Sequence, residues 1–125
     1  MYTVDLQDCI DKMDLECLTP DVDISKIKIT QSDINRPALQ LAGFFDYFDH
    51  HRVQIIGHVE NTYMEKQGLE YSVEMMGRIM SYKVPCIVYC RDMAVPDAIL
   101  EVADKAGVPI LRTKQTTSSF SSELN

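Results

Sequence analysis

The sequence lacks the glycine motifs that would show directly that it binds a nucleotide. None of its five glycines is followed by lysine, and no two have the spacing of the Gly-x-x-x-x-Gly-Lys-Ser/Thr loop, whose backbone amides surround phosphates. The Gly-x-Gly-x-x-Gly fingerprint of dinucleotide-binding proteins is also missing. Nucleotide binding through either motif is therefore excluded for these residues.

Positive charge is scarce as well. Twelve Lys and Arg stand against 19 Asp and Glu, which gives a formal net charge of −7. A negative surface repels nucleic acids and anionic membranes, so we expect neither as a partner. Residues 1–25 hold seven of the acids and one lysine. This acidic end is either a docking surface for a basic partner or, as we favour, an ordinary solvated face.

Long apolar runs are absent, and so is a secretory signal. No stretch approaches the roughly 18 apolar residues needed to cross a bilayer, and the first residues have neither a basic region nor an apolar core. We therefore expect a cytoplasmic protein whose four cysteines are reduced and packed as small hydrophobic residues. The length and the 46% hydrophobic content predict one globular domain.

The first half of the chain shows short elements. The apolar spacing from Leu6 to Met13 predicts a helix with Thr3 as its N-cap. Residues 15–18 and 27–29 are predicted to be strands that pair at an edge of the sheet. Pro37 is expected to start a short helix that ends at Gly43.

The second half carries the clearest architectural pattern. Residues 53–57 are typical of a buried strand, and residues 61–83 of two helices separated at Gly68. A strand over 84–90, a helix over 96–106 and a strand over 108–111 then form a β-α-β unit, which implies parallel strands. The fold class is thus α/β, with a mixed, partly parallel sheet flanked by helices. Residues 116–125 are either a polar linker or, as the Phe120 and Leu124 spacing favours, the start of a helix.

Cationic and hydroxyl side chains follow the expected strands and suggest an anion site. Ligands of parallel α/β sheets gather beyond the carboxyl ends of the strands. The candidate ligand-binding residues are Arg36, His58, Arg91, Arg112, Thr113 and Thr117. The alternative, which we favour, is that Arg91 and Arg112 form surface ion pairs and that the hydroxyls cap helices.

Other chemistry has weaker support. Three histidines and two nearby cysteines have poor spacing for zinc, so no metal site and no catalytic residue is predicted. Four aromatic residues crowd positions 44–48, and no single face of a helix or strand can bury them all. Either Phe44 and Phe48 pack inward, or Phe45 and Tyr47 form an interface, or both hold.

Two longer stretches resemble a known family. Residues 32–48, with the Arg36-Pro37 pair and Leu41-Ala42-Gly43, and residues 52–60 closely resemble the N-terminal domain of HPr kinase/phosphorylase. Residues 85–88, 108–113 and 117–118 also fall where that family has them. The resemblance implies a fold similar to the N-terminal domain of Mur ligases. The β-α-β part alone is shared with DRTGG-type sensor domains.

The family is bifunctional, and its chemistry belongs to another domain. With ATP or pyrophosphate it phosphorylates a serine of the phosphocarrier protein HPr in carbon catabolite regulation, and it removes that phosphate by phosphorolysis. The resemblance implies that the P-loop, the ATP and the Mg²⁺ belong to a C-terminal kinase domain that begins about where this chain ends. No cofactor is expected in this chain, which alone is expected to be inactive.

Three hypotheses follow. The first is a non-catalytic regulatory or interaction domain over residues 1–115, with residues 116–125 leading to an absent C-terminal domain. Its partners would be that kinase domain, other subunits of the parent enzyme or HPr. The second is a free-standing, DRTGG-like sensor of a small phosphorylated metabolite. The third, and weakest, is a hydrolase that uses Asp46, Asp49 and His50.

Overall fold

The computed structural model describes residues 2–124, which form seven short strands and six helices. In chain order these are β1 Val4–Asp5, α1 Leu6–Met13, β2 Glu16–Cys17, β3 Lys28–Ile29, β4 Ile34–Asn35, α2 Ala38–Leu41, β5 Val53–Ile56, α3 His58–Gln67, α4 Leu69–Ser81, β6 Ile87–Tyr89, α5 Asp97–Ala106, β7 Ile110–Arg112 and α6 Thr117–Leu124. None of these helices is both long enough and apolar enough to span a bilayer.

The main sheet has five strands in the order β2-β7-β6-β5-β4. Strands β4 to β7 are parallel and lie side by side in their sequence order, whereas β2 is antiparallel to β7. Because parallel crossovers are right-handed, consecutive crossovers in one direction place α2 to α5 on the same face of the sheet. The prediction of an α/β fold with a mixed, partly parallel sheet is confirmed.

Hydrophobic cores cover both faces of this sheet. Strand β6 and the residue on either side of it illustrate this arrangement. All residues from 86 to 90 are buried, and successive side chains point to opposite faces of the sheet. Ile87 and Tyr89 pack with the apolar residues of α2 to α5. Cys86, Val88 and Cys90 pack with α1, α6 and Ile29 of β3. The sheet is therefore the middle layer of three.

Two expectations about the N-terminal region were wrong. The strands at residues 15–18 and 27–29 do not pair with each other. Instead, β2 joins β7 in the main sheet, and β3 pairs with β1 in a separate two-stranded sheet. Thr3 is not the N-cap of α1, because Val4 and Asp5 are drawn into that small ladder and Asp5 takes the cap position.

Other predicted elements are confirmed. Gly68 separates α3 from α4 with φ +96°, a conformation that only glycine adopts without strain. The β6-α5-β7 unit is present with parallel strands. The C-terminal segment is helical, and Thr116 Oγ1 accepts a hydrogen bond from the Ser119 N–H at 3.2 Å, as a cap does.

Candidate functional site

The carboxyl ends of the parallel strands bring several predicted residues to one edge of the sheet. Arg36 follows β4, Gly57 follows β5, Cys90 follows β6 and Thr113 follows β7. Helix α3 starts directly after Gly57, and helix α6 starts at Thr117.

A buried carboxylate organises this edge. Glu60 is only 3% exposed, and its Oε1 accepts a hydrogen bond from the Gly57 N–H at 2.6 Å, as the third residue of a capping box does. Arg36 Nη2 lies 3.0 Å from Oε2 and 3.1 Å from Oε1 of the same carboxylate. Arg36 thus ties the end of β4 to the start of α3 and does not project as a free cation.

Thr117 and Cys90 lie next to Arg36, Gly57 and Glu60. A Cβ atom placed on Gly57 would lie 2.6 Å from Thr117 Oγ1 and 3.1 Å from Arg36 Nη2, so only glycine fits at this position. The Thr117 side chain also lies close enough to the Cys90 thiol to affect its pKa. Arg36, Gly57, Glu60, Cys90 and Thr117 are hereafter called the Arg36 cluster.

The Cys90 thiol is held in its neutral form. Burial raises its pKa, and the charge of Glu60 adds to that effect, whereas the Thr117 side chain and the charges of Arg36 and Arg91 oppose it. Cysteine nucleophiles act as thiolates, whose formation requires a lowered pKa. The Arg36 cluster therefore does not provide a nucleophilic cysteine.

Arg91 lies beside this cluster in a left-handed turn. Arg91 and Asp92 have φ values of 58° and 54°. Their N–H groups donate to the carbonyl oxygens of Gln115 and Thr113, both at 2.8 Å. The turn therefore fixes the exposed Arg91 side chain at the same edge as Arg36 and Thr117.

Arg112 and Thr113 are occupied by structural contacts. The Arg112 guanidinium lies 2.9 Å from a Glu16 carboxylate oxygen and 3.3 Å from an Asp92 carboxylate oxygen. Thr113 is buried, and its Oγ1 accepts a hydrogen bond from the Gln115 N–H at 3.2 Å. The cleft of about 410 Å³ beside them is lined by three carboxylates, including Asp14, and by Lys114 as well as Arg112, so acidic groups outnumber the cations there.

The remaining candidate ligand residue stands apart from these contacts. His58 is the first residue of α3 and is exposed. The structure thus brings Arg36, Arg91, Thr113 and Thr117 to one edge. Asp92 of the Arg91 turn links Thr113 and Arg112 to the same edge through a hydrogen bond and an ion pair.

The aromatic segment divides between core and surface. Phe48 is buried, whereas the Phe44 and Tyr47 side chains are 49% and 98% exposed. Phe45 stacks on Tyr82 with 5.4 Å between the ring centroids, and the Arg78 guanidinium lies 4.3 Å from the centroid of the Phe45 ring. The expectation that Phe44 packs inward was wrong, because Phe45 takes the inner position beside Phe48.

The groups considered for metal binding and hydrolysis do not form such centres. His50 packs against His51 at 4.1 Å and against Tyr82 at 5.7 Å between centroids. Asp46 and Asp49 are exposed, and Asp49 pairs with Arg52 at 3.5 Å. Within residues 2–124, no three His, Cys, Asp or Glu side chains are grouped so that they could hold a metal ion.

Three important side chains were missed by the sequence reasoning. The spacing of Gly57 and Glu60 is that of a capping box and could have identified Glu60. The stack of Tyr82 on Phe45 joins residues far apart in sequence and gives no local signal. No sequence pattern indicated the buried hydroxyl of Tyr89 either, because a tyrosine in an apolar strand resembles any other core residue.

Comparison with known proteins identifies the family. The family described as HPr Serine kinase N terminus matches residues 4–125. The chain belongs to this family. The resemblance that residues 32–48 and 52–60 carry is thereby confirmed.

The curated relatives of this family member are longer than the chain itself. The chain is 56% identical over 124 residues to the HPr kinase/phosphorylase of Lachnoclostridium phytofermentans, covering 99% of this chain and 40% of that protein. It is 42% identical over 105 residues to the enzyme of Alkaliphilus metalliredigens, covering 83% and 34% respectively. The chain thus spans about 40% of the length of its curated relatives.

A solved structure shares the fold. The CBS and DRTGG domains of the regulatory region of a Clostridium perfringens pyrophosphatase, solved with the activator diadenosine tetraphosphate, match with a TM-score of 0.66 and 13% identity. The match covers 95% of this chain and 45% of that one. At this identity the likeness supports the fold alone.

Proposed function

We propose that this member of the HPr serine kinase N-terminal family is a non-catalytic regulatory and interaction domain of a cytoplasmic HPr kinase/phosphorylase. Its partner is the C-terminal kinase domain or another subunit of that enzyme. The parent enzyme would phosphorylate HPr on serine and remove the phosphate by phosphorolysis. Residues 116–125 would lead from the domain towards the kinase domain.

The observation that carries this proposal is an exposed apolar patch on the segment that follows β4. Leu39, Phe44 and Tyr47 are 62%, 49% and 98% exposed. Single exposed apolar residues are common, but three within nine positions are typical of a protein contact. We call these three residues the apolar patch.

The underlying geometry makes the apolar patch suitable for docking. Phe45 is fixed between Tyr82 and Arg78, so the segment is anchored on α4 and the loop that follows it. Tyr47 has φ +59°, a strained value for a residue with a side chain. A rigid anchor loses little conformational entropy on binding, which favours affinity.

The proposal also agrees with what the sequence lacks. No Gly-Lys pair is present, so the P-loop that would hold ATP and Mg²⁺ must come from elsewhere. Burial raises the pKa of the Cys90 thiol, and Arg36 and Arg112 are paired with carboxylates. These residues are suited to holding the fold together rather than to transferring a phosphoryl group.

The test combines an activity assay with a binding assay. The isolated chain, given HPr with ATP and Mg²⁺ or with pyrophosphate, should transfer no phosphate. It should bind a separately produced C-terminal part of a relative, and the double variant Phe44→Ser/Tyr47→Ser should weaken that binding at least about tenfold. Val59→Ser, which removes a 65% exposed side chain on α3, is the matched control and should leave binding unchanged.

Either of two results would refute the proposal. Phosphorylation of HPr by the isolated chain would show that it is itself a kinase. Failure to bind the C-terminal part, or equal weakening by Val59→Ser, would remove the apolar patch as the interface.

The alternative function is a sensor of a small phosphorylated metabolite. Its support is the exposed Arg91 beside Arg36 and Thr117 at the carboxyl edge of the sheet. The pairing of Arg36 with Glu60 reduces the positive charge available there. Calorimetry with sugar phosphates and nucleotides at millimolar concentration tests this function, which an absence of heat would exclude.

A further inference from the structure

A second cleft lies on the helical face of the sheet, apart from the Arg36 cluster and the apolar patch. It has a volume of about 300 Å³ and opens between α3, α4 and the start of α5, next to the end of β6. A water molecule occupies about 30 Å³ in the liquid, so the cleft has room for roughly ten non-hydrogen atoms. This is the lower end of the range for small-molecule sites.

The walls of this cleft are mainly apolar. Met64 and Ile99, which are buried, contribute to it together with Pro96 and the half-exposed Leu69. Met64, Leu69 and Ile99 come from three different helices and Pro96 directly precedes the third, so packing of the helices on the sheet holds the shape. A ligand with an apolar body would gain free energy by covering this surface.

A polar group that has no partner among the described residues lies directly beneath the lining of the cleft. Tyr89 lines the cleft and is 0% exposed, and its hydroxyl finds no hydrogen-bond partner among residues 2–124. Its side chain faces the helices, because Tyr89 packs with the core on that side of the sheet. A buried hydroxyl without a partner is unfavourable, so a ligand that bonds to it would remove that cost.

The other polar groups of the cleft limit the charge of the ligand. The Ser72 hydroxyl contacts the carbonyl oxygens of Met64 at 3.0 Å and Gly68 at 2.8 Å, so its proton is already used. The Glu65 carboxylate lies at the edge, and no lysine, arginine or histidine from the described part of the chain lines the cleft. Phosphates and carboxylates are therefore disfavoured.

We infer that this cleft binds an uncharged small molecule of ring size, with an apolar body and one hydrogen-bonding group that meets the Tyr89 hydroxyl. The site differs from the phosphorylated-metabolite site considered above in both place and charge. It does not depend on whether the apolar patch contacts a kinase domain.

The test compares two probes that differ only in a hydroxyl group, toluene and p-cresol. Binding to the isolated chain is followed by the NMR methyl signals of Met64 and Ile99, which line the cleft. We expect p-cresol to bind about fivefold more tightly than toluene, the effect of one hydrogen bond. In Tyr89→Phe the preference should disappear while toluene still binds.

Tyr63→Phe is the matched control, because Tyr63 is also a tyrosine near α4 but bonds to the Tyr71 hydroxyl at 3.4 Å, outside the cleft. It should keep the preference for p-cresol. The inference is overturned if neither probe shifts the Met64 and Ile99 signals. It is equally overturned if Tyr89→Phe keeps the fivefold preference, or if inorganic phosphate shifts the same signals as strongly as p-cresol does.

Discussion

Arg36 Nη2 lies within 3.1 Å of both carboxylate oxygens of Glu60, although the two residues are 24 positions apart in sequence. The same carboxylate accepts the Gly57 N–H, so one buried side chain joins the end of β4 to the start of α3. The guanidinium remains 43% exposed. The ion pair therefore connects β4 to α3, and its arginine side is accessible to solvent.

Glu60→Ala should lower the stability of the fold. It leaves the Gly57 amide and the Arg36 guanidinium without their shared acceptor, and the loss of such buried partners costs about 1–3 kcal/mol. Urea unfolding measures the change. Glu101→Ala, at an exposed position on α5, should stay within about 0.5 kcal/mol of the parent, and an equal loss in both variants would contradict the structural role of Glu60.

Two glycine-to-alanine substitutions should change the free energy of unfolding in opposite directions. Gly57→Ala places a methyl group 2.6 Å from Thr117 Oγ1, and relief of that overlap should cost about 1–3 kcal/mol. Gly77→Ala, in the middle of α4, meets Val102 Cγ1 at an ordinary 3.6 Å and should add about 0.5–1 kcal/mol of helix stability. Thermal unfolding of both variants provides the comparison, and destabilisation by Gly77→Ala would argue against this packing.

Tyr89 should make the fold sensitive to alkaline conditions. Burial raises the pKa of its phenol, so the folded chain keeps the proton where an unfolded chain loses it. The resulting stability is complete below about pH 10, the pKa of an unperturbed tyrosine, and is lost as the pH rises above it.

Tyr89→Phe should therefore lose less stability than the parent between about pH 9 and 11, as measured by urea unfolding across that range. At neutral pH the variant should be at least as stable as the parent, because the hydroxyl that it lacks is buried and has no partner among residues 2–124. Identical pH profiles for the two proteins would show that the phenol is not shielded from water.

Within the aromatic segment, substitutions at surface positions should cost much less stability than substitutions at packed positions. Tyr47→Ser removes a side chain that is 98% exposed and should change the free energy of unfolding by less than about 0.5 kcal/mol. Phe45→Ala removes the stack on Tyr82 and the contact with Arg78, which should cost about 1–2 kcal/mol. Chemical denaturation distinguishes them, and a large loss in Tyr47→Ser would mean that this side chain supports the fold.

Patterns that depend on neighbouring residues predicted much of this fold. The apolar spacing of α1, the separation of α3 from α4 at Gly68 and the β6-α5-β7 unit all follow from local periodicity and from turn residues. Pairing between distant strands could not be predicted in the same way. Strand β4 has only two residues, and its identity comes from parallel pairing with β5.

In the candidate site, too, local patterns could be predicted from the sequence but contacts between distant residues could not. Thr117 could be placed at the carboxyl edge because it follows a predicted strand, whereas Arg36 was singled out only because it precedes the helix that Pro37 was expected to start. The carboxylate that pairs with Arg36 comes from a different helix, and the charge of an arginine in a sequence does not reveal whether it is already compensated. Pairing of this kind depends on tertiary structure, so the sequence left an anion site and surface ion pairs as alternatives, and the structure shows Arg36 and Arg112 in ion pairs.

The position of α6 couples the two ends of the chain. Phe120 and Leu124 are buried in the same core as Leu6 and Cys9, so the last helix covers the first. That core cannot close until residues 117–124 have been synthesised. A force that detached α6 would also expose α1 and the face of the sheet that α1 covers to solvent. A force applied to α6 would therefore also act on the acidic N-terminal helix.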